Sequence, residues 1–300
     1  MFSMWLIYAL GGGWGHLTRA VALARAVGGQ APVRIVTNCP YADFIRRCVP
    51  ELVVRTVASR EETISALAGC ECLIVDTFPR GLLGELADSV RRPAFRKVLV
   101  ARDLHPEYVE AFALRSFVAE HYDLVLLPGE GEAFADLPCA RLTDPWLAAP
   151  APALEAHRTT ALICASGNPD EQAWYGEVAA LLGEEMPVRC VSPTCPAGCP
   201  PALWQAHWPA LDLFGRAAVV VGGAGYNTVY ETRAAGVPLI ARAWPRLYDR
   251  QGLRAARAGA TVVTTPREAV EAARRLRCCD TTKNVARNGA VQAVALIREL

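Results

Sequence analysis

The sequence lacks an excess of charge of either sign, because 31 lysines and arginines stand against 30 aspartates and glutamates. Domains that bind nucleic acid carry a strongly basic surface, so we predict no nucleic-acid partner. No apolar run approaches the roughly 20 residues that a membrane-spanning helix needs, which leaves only peripheral contact with a membrane open. No basic segment precedes the apolar N-terminal residues as it does in a secretory signal, and we therefore expect a cytoplasmic protein.

Metal-ligand spacings are also missing, although the sequence contains 11 cysteines. Cys195, Cys199 and His207 are close in sequence, but no fourth ligand stands at a spacing typical of a zinc site. We therefore predict no metal site. We expect the cysteines to be reduced, and those in candidate buried strands to act as small apolar side chains.

Apolar runs alternate with helical patterns along the 300 residues. This alternation predicts parallel β-sheets that are covered by helices on both faces, which is an α/β fold. A proline- and alanine-rich segment at 144–153 interrupts the alternation, and proline stiffens a linker. We therefore predict two domains, residues 1–148 and residues 149–300. The C-terminal stretch Lys283–Leu300 also has a helical pattern, and this last helix is free to pack back on the first domain.

Two glycine-rich turns stand where a buried strand is followed by a helix, and the first spans residues 11–16. Glycines such as Gly13 and Gly15 let the backbone approach a ligand closely, because they carry no Cβ. His16 then lies at the start of the helix, near the carboxyl end of the first strand. The positive end of the helix dipole disfavours an imidazolium there, so His16 is a candidate base. The same position also suits a helix cap.

The second glycine-rich turn spans residues 222–228. The start of a helix presents backbone N–H groups that bind anions, so this turn is a candidate phosphate site. Its candidate residues are Gly223, Gly225, Asn227 and Thr228. Glu231 lies one helical turn beyond Thr228, where a carboxylate can accept both hydroxyls of a ribose. The T-x-x-E spacing is equally typical of a capping box, which would give Glu231 a structural role.

Two further loops of the second domain end predicted strands and precede predicted helices. Ser166 and Gly167 belong to a small polar loop that is a candidate for binding a diphosphate through its backbone. Asp249 and Gln251 are candidates for binding sugar hydroxyls. Asp249 is also well placed to cap the helix that follows it.

In the first domain, the segments 76–81 and 102–105 end predicted strands on the edge that carries His16. They are candidates for the acceptor side of a cleft between the two domains. Asp103 or His105 could assist His16 as a base. Residues of this kind also serve as structural hydrogen-bonding groups.

Taken together, these motifs resemble those of the GT-B glycosyltransferases of the family 28 type, a group that includes the N-acetylglucosaminyltransferase of the peptidoglycan lipid intermediate. The resemblance covers nearly the whole chain, although in the middle of the first domain only the order of elements carries it. Trp14 departs from the small residue that is usual in the first turn. The matching motifs are Gly11-Gly12-x-x-Gly15-His16, Gly223-x-Gly225-x-x-Thr228-x-x-Glu231-x-x-x-x-Gly236-x-Pro238, Asp249-x-Gln251 and Gly259-Ala260.

The resemblance implies a GT-B fold, in which two Rossmann-like parallel-sheet domains face each other across a cleft. It implies that Glu231 holds the ribose of a nucleotide sugar, and that Gly225, Asn227 and Thr228 in the second glycine turn hold the diphosphate. It also implies that His16 lies in the active cleft as a candidate base. It implies that the donor sugar contacts the segment Asp249, Arg250 and Gln251. The family generally needs no bound metal, so we expect no cofactor beyond the nucleotide sugar itself.

These expectations describe an inverting, metal-independent glycosyltransferase that uses a nucleotide diphosphate sugar, with UDP as the expected nucleotide. Its acceptor hydroxyl is unknown and could belong to a lipid-linked molecule, a glycan or a small molecule. Two alternatives remain open at this point. One is a nucleotide-sugar hydrolase or epimerase on the same fold, in which His16 would position water. The other is a catalytically idle subunit that binds a nucleotide sugar.

Overall fold

The computed structural model describes residues 4–276 and 287–300, and the chain divides into two compact units. Unit 1 comprises Met1–Ala148, Leu247–Asp249 and Arg287–Leu300, and unit 2 comprises Ala149–Arg246 and Arg250–Ala286. The first part of the predicted helix at Lys283–Leu300 lies outside the described residues, as do Cys278 and Cys279.

Unit 1 contains a seven-stranded parallel sheet with the strand order β3-β2-β1-β4-β5-β6-β7. Its strands are β1 (Trp5–Ala9), β2 (Val33–Thr37), β3 (Val53–Thr56), β4 (Cys72–Asp76), β5 (Arg96–Val100), β6 (Leu124–Pro128) and β7 (Ala140–Thr143). Its first six helices are α1 (Trp14–Val27), α2 (Ala42–Cys48), α3 (Arg60–Ala66), α4 (Ala87–Val90), α5 (Pro106–Ala111) and α6 (Leu114–His121). Every residue of β1 and β4 is buried, as expected for central strands with helices on both faces.

The strand order of unit 1 reverses between β1 and β4, which are paired in parallel. In open α/β sheets, ligands bind at such a reversal, beyond the carboxyl ends of the two strands. The loops that follow β1 and β4 therefore lie beside each other. The first of these loops leads into His16, and the second begins immediately after Asp76.

Unit 2 contains a six-stranded sheet with the order β10-β9-β8-β11-β12-β13. Its strands are β8 (Thr160–Cys164), β9 (Val188–Val191), β10 (Trp204–Gln205), β11 (Ala217–Gly223), β12 (Leu239–Arg242) and β13 (Thr261–Val263). Its helices are α7 (Pro169–Gly183), α8 (Tyr226–Ala235), α9 (Gln251–Arg257) and α10 (Pro266–Leu276). The strand order reverses between β8 and β11, so the loops before α7 and α8 flank this second reversal.

The prediction of an α/β fold with two parallel sheets is confirmed. The sequence does not predict the edge strands β7 and β10, because their residues form no continuous apolar run. Edge strands are half-exposed and short, so their pairing depends on the neighbouring strand more than on their own pattern. Among the described residues, no helix is both long enough and apolar enough to cross a membrane.

The C-terminal helix α11 (Gly289–Arg298) packs within unit 1. Asn288 fixes its start, since its Oδ1 accepts from the backbone N–H of Ala290 at 3.1 Å and from that of Leu147 at 3.1 Å. The helix approaches the preceding chain so closely that a Cβ built on Gly289 would lie 1.8 Å from the carbonyl oxygen of Asp144. Position 289 therefore requires glycine.

We expect Gly289→Ala to lower the free energy of unfolding of unit 1 by about 1–3 kcal/mol, because an overpacked contact must be relieved by moving backbone. Gly252→Ala is the matched control, since Gly252 also stands at the start of a helix and a Cβ there has no neighbour within 4 Å. Thermal unfolding followed by circular dichroism should show a lower midpoint for the first variant only. Equal midpoints for the two variants would contradict the packing assigned to α11.

Candidate functional site

His16 forms a hydrogen-bonded pair with a buried carboxylate at the reversal point of unit 1. It is the third residue of α1, whose N-cap is Gly13 and has no side-chain cap, so the alternative of a capping histidine is wrong. Its Nδ1 lies 2.5 Å from Oδ2 of Asp76 at the end of β4. An ionised carboxylate only accepts hydrogen bonds, so Nδ1 carries the proton and Nε2 is left as the acceptor. This is the geometry of a general base held by an orienting carboxylate.

Arg19, one helical turn beyond His16, donates to both oxygens of the same carboxylate. Its Nε donates to Oδ1 of Asp76 at 2.9 Å, and its Nη2 donates to Oδ2 at 2.7 Å. Both residues are buried. A two-pronged guanidinium contact of this kind fixes the orientation of a carboxylate as well as its charge.

The electrostatics keep Asp76 ionised and His16 neutral. Burial would raise the pKa of Asp76, but the charge of Arg19 and the hydrogen bonds from Arg19 and His16 hold that pKa well below its ordinary value. Burial lowers the pKa of His16, against the opposing effect of the Asp76 carboxylate. The side chain of His16 is 13% exposed, so the ring is mostly buried but still accessible to solvent. A neutral imidazole is the form that can accept a proton.

The first glycine turn is shaped around the His16 ring. A Cβ built on Gly11 would lie 2.1 Å from Nε2, so the imidazole occupies the space that any other residue would fill. Asn38, which follows β2, fixes the turn because its Oδ1 accepts from the N–H groups of Gly11 and Gly12, at 2.9 Å each. Gly12 has a φ of +72°. Gly13 is the N-cap of α1, and Gly15 is its second residue.

The loop after Asp76 begins in a strained conformation. Thr77 has a φ of +71°, which a β-branched residue rarely adopts. Strain of this kind concentrates at functional sites. The next residue, Phe78, stacks on His16 with ring centroids 5.7 Å apart and 26° between the planes. Both residues belong to a segment that the sequence marks as a candidate acceptor site.

The carboxylate that contacts His16 is Asp76, whereas the sequence favours Asp103 for assisting it. Asp103 is buried, and its backbone N–H donates to Oε1 of Glu130 at 3.3 Å. Among the described contacts of His16, none involves Asp103. An assisting role for Asp103 stays a prediction. His105, the second candidate, is the N-cap residue of α5.

Asp249 lies in the part of the loop that belongs to unit 1. Its Oδ1 accepts from Nη2 of Arg102 at 3.2 Å, and its backbone forms an isolated antiparallel bridge with Leu104. The alternative of a capping aspartate is wrong, because the N-cap of α9 is Arg250 and makes no side-chain cap bond. Gln251 begins α9, and its Oε1 accepts from the N–H of Trp244 at 3.0 Å.

In unit 2, the glycine turn after β11 leads directly into α8. The helix begins at Tyr226, three residues earlier than a cap at Thr228 requires, and its N-cap is Gly225. Thr228 is therefore the third helical residue, and the capping-box alternative for Glu231 is wrong. No side chain caps this helix, and no acidic residue stands in its first turn. The first N–H groups of a helix have no partner inside it, so this start suits an anion.

The glycines of this turn make room for their neighbours. A Cβ on Gly222 would lie 2.8 Å from Cγ2 of Thr228, and one on Gly223 would lie 3.3 Å from the hydroxyl of Tyr175. Arg254 of α9 is buried, and its Nη1 donates to the carbonyl oxygen of Ala224 at 3.1 Å. A guanidinium therefore stands at the turn, where it adds positive charge to that of the helix start. No motif in the sequence indicates that Arg254 lies at this turn.

Glu231 is a buried carboxylate that makes no hydrogen bond or ion pair with any described residue. It lies on α8 and is 7% exposed. Burial and, to a smaller extent, the negative charge of Asp212 raise its pKa to about 7. Buried carboxylates are normally paired, because an unpaired one costs free energy. An unpaired one on a helix whose start suits an anion points to a ligand that donates hydrogen bonds.

The loop that carries Ser166 and Gly167 is fixed by an ion pair. Gly167 has a φ of +106°, and a Cβ there would lie 1.8 Å from Oε2 of Glu171. Arg246, from the loop after β12, holds Glu171 with contacts of 2.5 and 2.6 Å to its two carboxylate oxygens. Asn168 caps α7 by accepting from the N–H of Glu171 at 2.9 Å. The ion pair thus ties the loop after β12 to the first turn of α7, which follows the loop after β8.

Comparison by sequence finds no matching family model and no matching curated protein. Comparison of structures finds glycosyltransferases. The glycosyltransferase of kitacinnamycin has a TM-score of 0.67 at 13% identity, with 100% of this chain and 99% of that chain covered. MurG of Acinetobacter baumannii has a TM-score of 0.59 at 14% identity, with coverages of 99% and 100%. SsfS6 of Streptomyces sp. SF2575, in complex with thymidine diphosphate, has a TM-score of 0.62 at 14% identity, with coverages of 99% and 100%.

These likenesses extend over the whole chain and establish that the protein has the GT-B fold. Because the sequence identities are low, these comparisons show the fold alone. The residues that do the chemistry must be argued from the geometry of this chain.

We expect Asp76→Asn to lower the pKa of His16 below its value in the unchanged protein. The amide removes the negative charge that favours the imidazolium, while burial continues to disfavour it. The measurement is the pH titration of the imidazole NMR signals, with the His16 signal assigned by its loss in His16→Gln. Asp103→Asn is the matched control.

The Asp103→Asn variant should leave the titration of His16 unchanged. Near-ultraviolet circular dichroism shows whether each variant keeps its packing. A His16 titration that responds to Asp103→Asn and not to Asp76→Asn would reverse the assignment of the orienting carboxylate.

Proposed function

We propose that this protein is a glycosyltransferase that moves a sugar from a nucleotide diphosphate sugar to an acceptor hydroxyl, with inversion and without a metal ion. Glu231 carries the proposal. Its buried, unpaired carboxylate stands on the helix that begins at an uncapped, glycine-lined turn. A nucleoside diphosphate offers the complementary groups, namely ribose hydroxyls that donate hydrogen bonds and phosphates that accept them.

Unit 2 binds the donor in this proposal. The ionised carboxylate of Glu231 accepts hydrogen bonds from the two ribose hydroxyls. The diphosphate lies against the start of α8, at Gly225, Asn227 and Thr228, where the N–H groups of the first turn and the guanidinium of Arg254 face negative charge. A preorganised positive site of this kind stabilises the diphosphate as it leaves, which is the role that a metal ion plays elsewhere.

Unit 1 supplies the base. Nε2 of His16 takes the proton of the acceptor hydroxyl, and the acceptor oxygen attacks the anomeric carbon as the diphosphate departs. Asp76 holds the imidazole in the tautomer that leaves Nε2 unprotonated, and its negative charge stabilises the imidazolium that forms. Because Arg19 keeps Asp76 ionised, the orienting charge persists throughout the reaction.

The donor that we propose is UDP-linked, with a TDP-linked sugar as the nearest competitor. One protein of similar fold was solved in complex with thymidine diphosphate, and uracil and thymine present the same hydrogen-bonding edge. The remaining candidate contacts to the donor are Ser166, Gly167, Gly223, Asp249, Arg250 and Gln251. The acceptor is a molecule with a free hydroxyl, and its class is left to the assay below.

We expect Glu231→Gln to weaken the affinity for UDP-glucose or TDP-glucose by about 10- to 100-fold at pH 8, the value of hydrogen bonds to a charged group. Glu177→Gln is the matched control, because Glu177 is an exposed glutamate of the same unit. These donors are phosphodiesters whose charge is constant between pH 5 and pH 9. Isothermal titration calorimetry over this range measures both effects.

The affinity of the unchanged protein should rise with pH up to the pKa of Glu231, which is about 7, and then level off. The pKa of Glu231 is higher in the folded state than in the unfolded state. The free energy of unfolding therefore falls as pH rises from the unfolded-state pKa of this carboxyl group through about 7. Glu231→Gln should therefore stabilise the unliganded protein at pH 8 and not at pH 4. An affinity that is unchanged in this variant would remove Glu231 from the donor site.

We expect His16→Ala to reduce the rate of sugar transfer by about 100- to 10,000-fold, the usual contribution of a general base, while donor affinity is retained. His121→Ala is the matched control, because His121 is a partly buried histidine at the end of α6 in the same unit. The assay measures nucleotide release from UDP- and TDP-sugars, with and without acceptor fractions from a cell extract.

Acceptor-dependent release that falls in His16→Ala supports the transferase. Release at the full rate without any acceptor would instead identify a nucleotide-sugar hydrolase. Tight binding without turnover under any condition would identify an idle binding subunit. A failure to bind any nucleotide sugar would overturn the proposal for both units.

A further inference from the structure

Three cysteines of unit 2 lie together at β9 and the loop that follows it. Cys190 belongs to β9, and Cys195 and Cys199 belong to the loop that follows this strand. The side chains of Cys190 and Cys195 both affect the pKa of Cys199, as close neighbours do. The Sγ of Cys195 lies 3.6 Å from the carbonyl oxygen of Cys199. The fold therefore brings Cys195 into contact with Cys199.

The three thiols differ in their access to solvent. Cys195 is exposed, whereas Cys190 and Cys199 are buried. Burial raises the pKa of Cys199 and that of Cys190, so both are thiols at neutral pH. A reagent from solution therefore meets Cys195 first, and the neighbour that can react with an oxidised Cys195 is Cys199.

The fold holds the loop in the shape that brings Cys195 and Cys199 together. Gly198, between them, has a φ of +80° and allows the chain to reverse. The loop also packs tightly on α7. A Cβ on Gly176 would lie 2.0 Å from the carbonyl oxygen of Ala197 and 2.9 Å from the backbone nitrogen of Cys199. Two cysteines held in contact by a packed loop need little backbone movement to be bridged.

We propose that Cys195 and Cys199 form a redox-modification site, at which hydrogen peroxide or glutathione disulfide converts the two thiols into an intrachain disulfide. With peroxide, the Cys195 thiolate attacks one oxygen, which gives a sulfenic acid and water. The Cys199 sulfur then attacks the Cys195 sulfur, and a second water leaves. In sum, two thiols and one hydrogen peroxide give one disulfide and two waters.

With glutathione disulfide, the Cys195 thiolate attacks one sulfur and releases one glutathione thiol. Cys199 then attacks the mixed disulfide and releases the second glutathione thiol. The protein loses two protons and two electrons, and the glutathione disulfide gains them. Neither route depends on glycosyl transfer, so this proposal is independent of the proposed function.

The test uses the full chain with Cys278→Ser and Cys279→Ser, because these adjacent cysteines lie outside the described residues. The protein is treated with glutathione disulfide or hydrogen peroxide, and remaining thiols are blocked with N-ethylmaleimide. Trypsin cleaves after Arg189 and Arg216, which yields one peptide that contains all three cysteines. We expect this peptide to be lighter by two hydrogens and to carry a single blocked thiol, that of Cys190.

Single substitutions identify the partners of the disulfide. Cys195→Ser and Cys199→Ser should abolish it, whereas Cys190→Ala should retain it. Cys48→Ser is the matched control, because Cys48 is a partly exposed cysteine of unit 1. Three blocked thiols after oxidation, a glutathione that persists on Cys195, or a bridge that survives Cys195→Ser and is lost in Cys190→Ala would each overturn the proposal.

Discussion

The buried ion pair between Arg19 and Asp76 is the interaction on which the rest of the candidate site depends. It joins the first turns of α1 to the end of β4, and it is buried almost completely. Removing either partner would leave a buried charge uncompensated, which usually costs about 3–5 kcal/mol. Because Asp76 accepts from both Arg19 and His16, this one carboxylate positions the ring and sets its charge.

The loop beyond Asp76 has its own internal support. The hydroxyl of Tyr8 donates to the buried carboxylate of Glu85 and accepts from the N–H of Leu82 at 2.7 Å. The second oxygen of Glu85 accepts from the N–H of Leu83 at 2.8 Å. Since Tyr8 belongs to the central strand β1, these bonds tie the loop to the most rigid part of the sheet. The positive φ of Thr77 can persist because both ends of its loop are held in this way.

The two units use buried carboxylates in opposite ways. In unit 1, Arg19 and His16 compensate the burial of Asp76, so that its pKa stays low and the group stays ionised. In unit 2, no described residue compensates the burial of Glu231, and its pKa rises to about 7. The surroundings of the two carboxyl groups therefore give them different roles. Asp76 stays charged and positions a base, whereas Glu231 has no described partner and suits a ligand.

The sequence by itself determined the two glycine turns, the alternation of strands and helices, and His16 and Glu231 as candidates, because these features are local. Periodicity and turn chemistry involve residues that are neighbours in the chain. Only the tertiary structure decided that Asp76 rather than Asp103 contacts His16, and that Arg254 stands at the turn before α8. Both strand ends lie on the same sheet edge, so the sequence cannot distinguish them. The strand order decides, because it places β4 beside β1 and leaves β5 one strand further away.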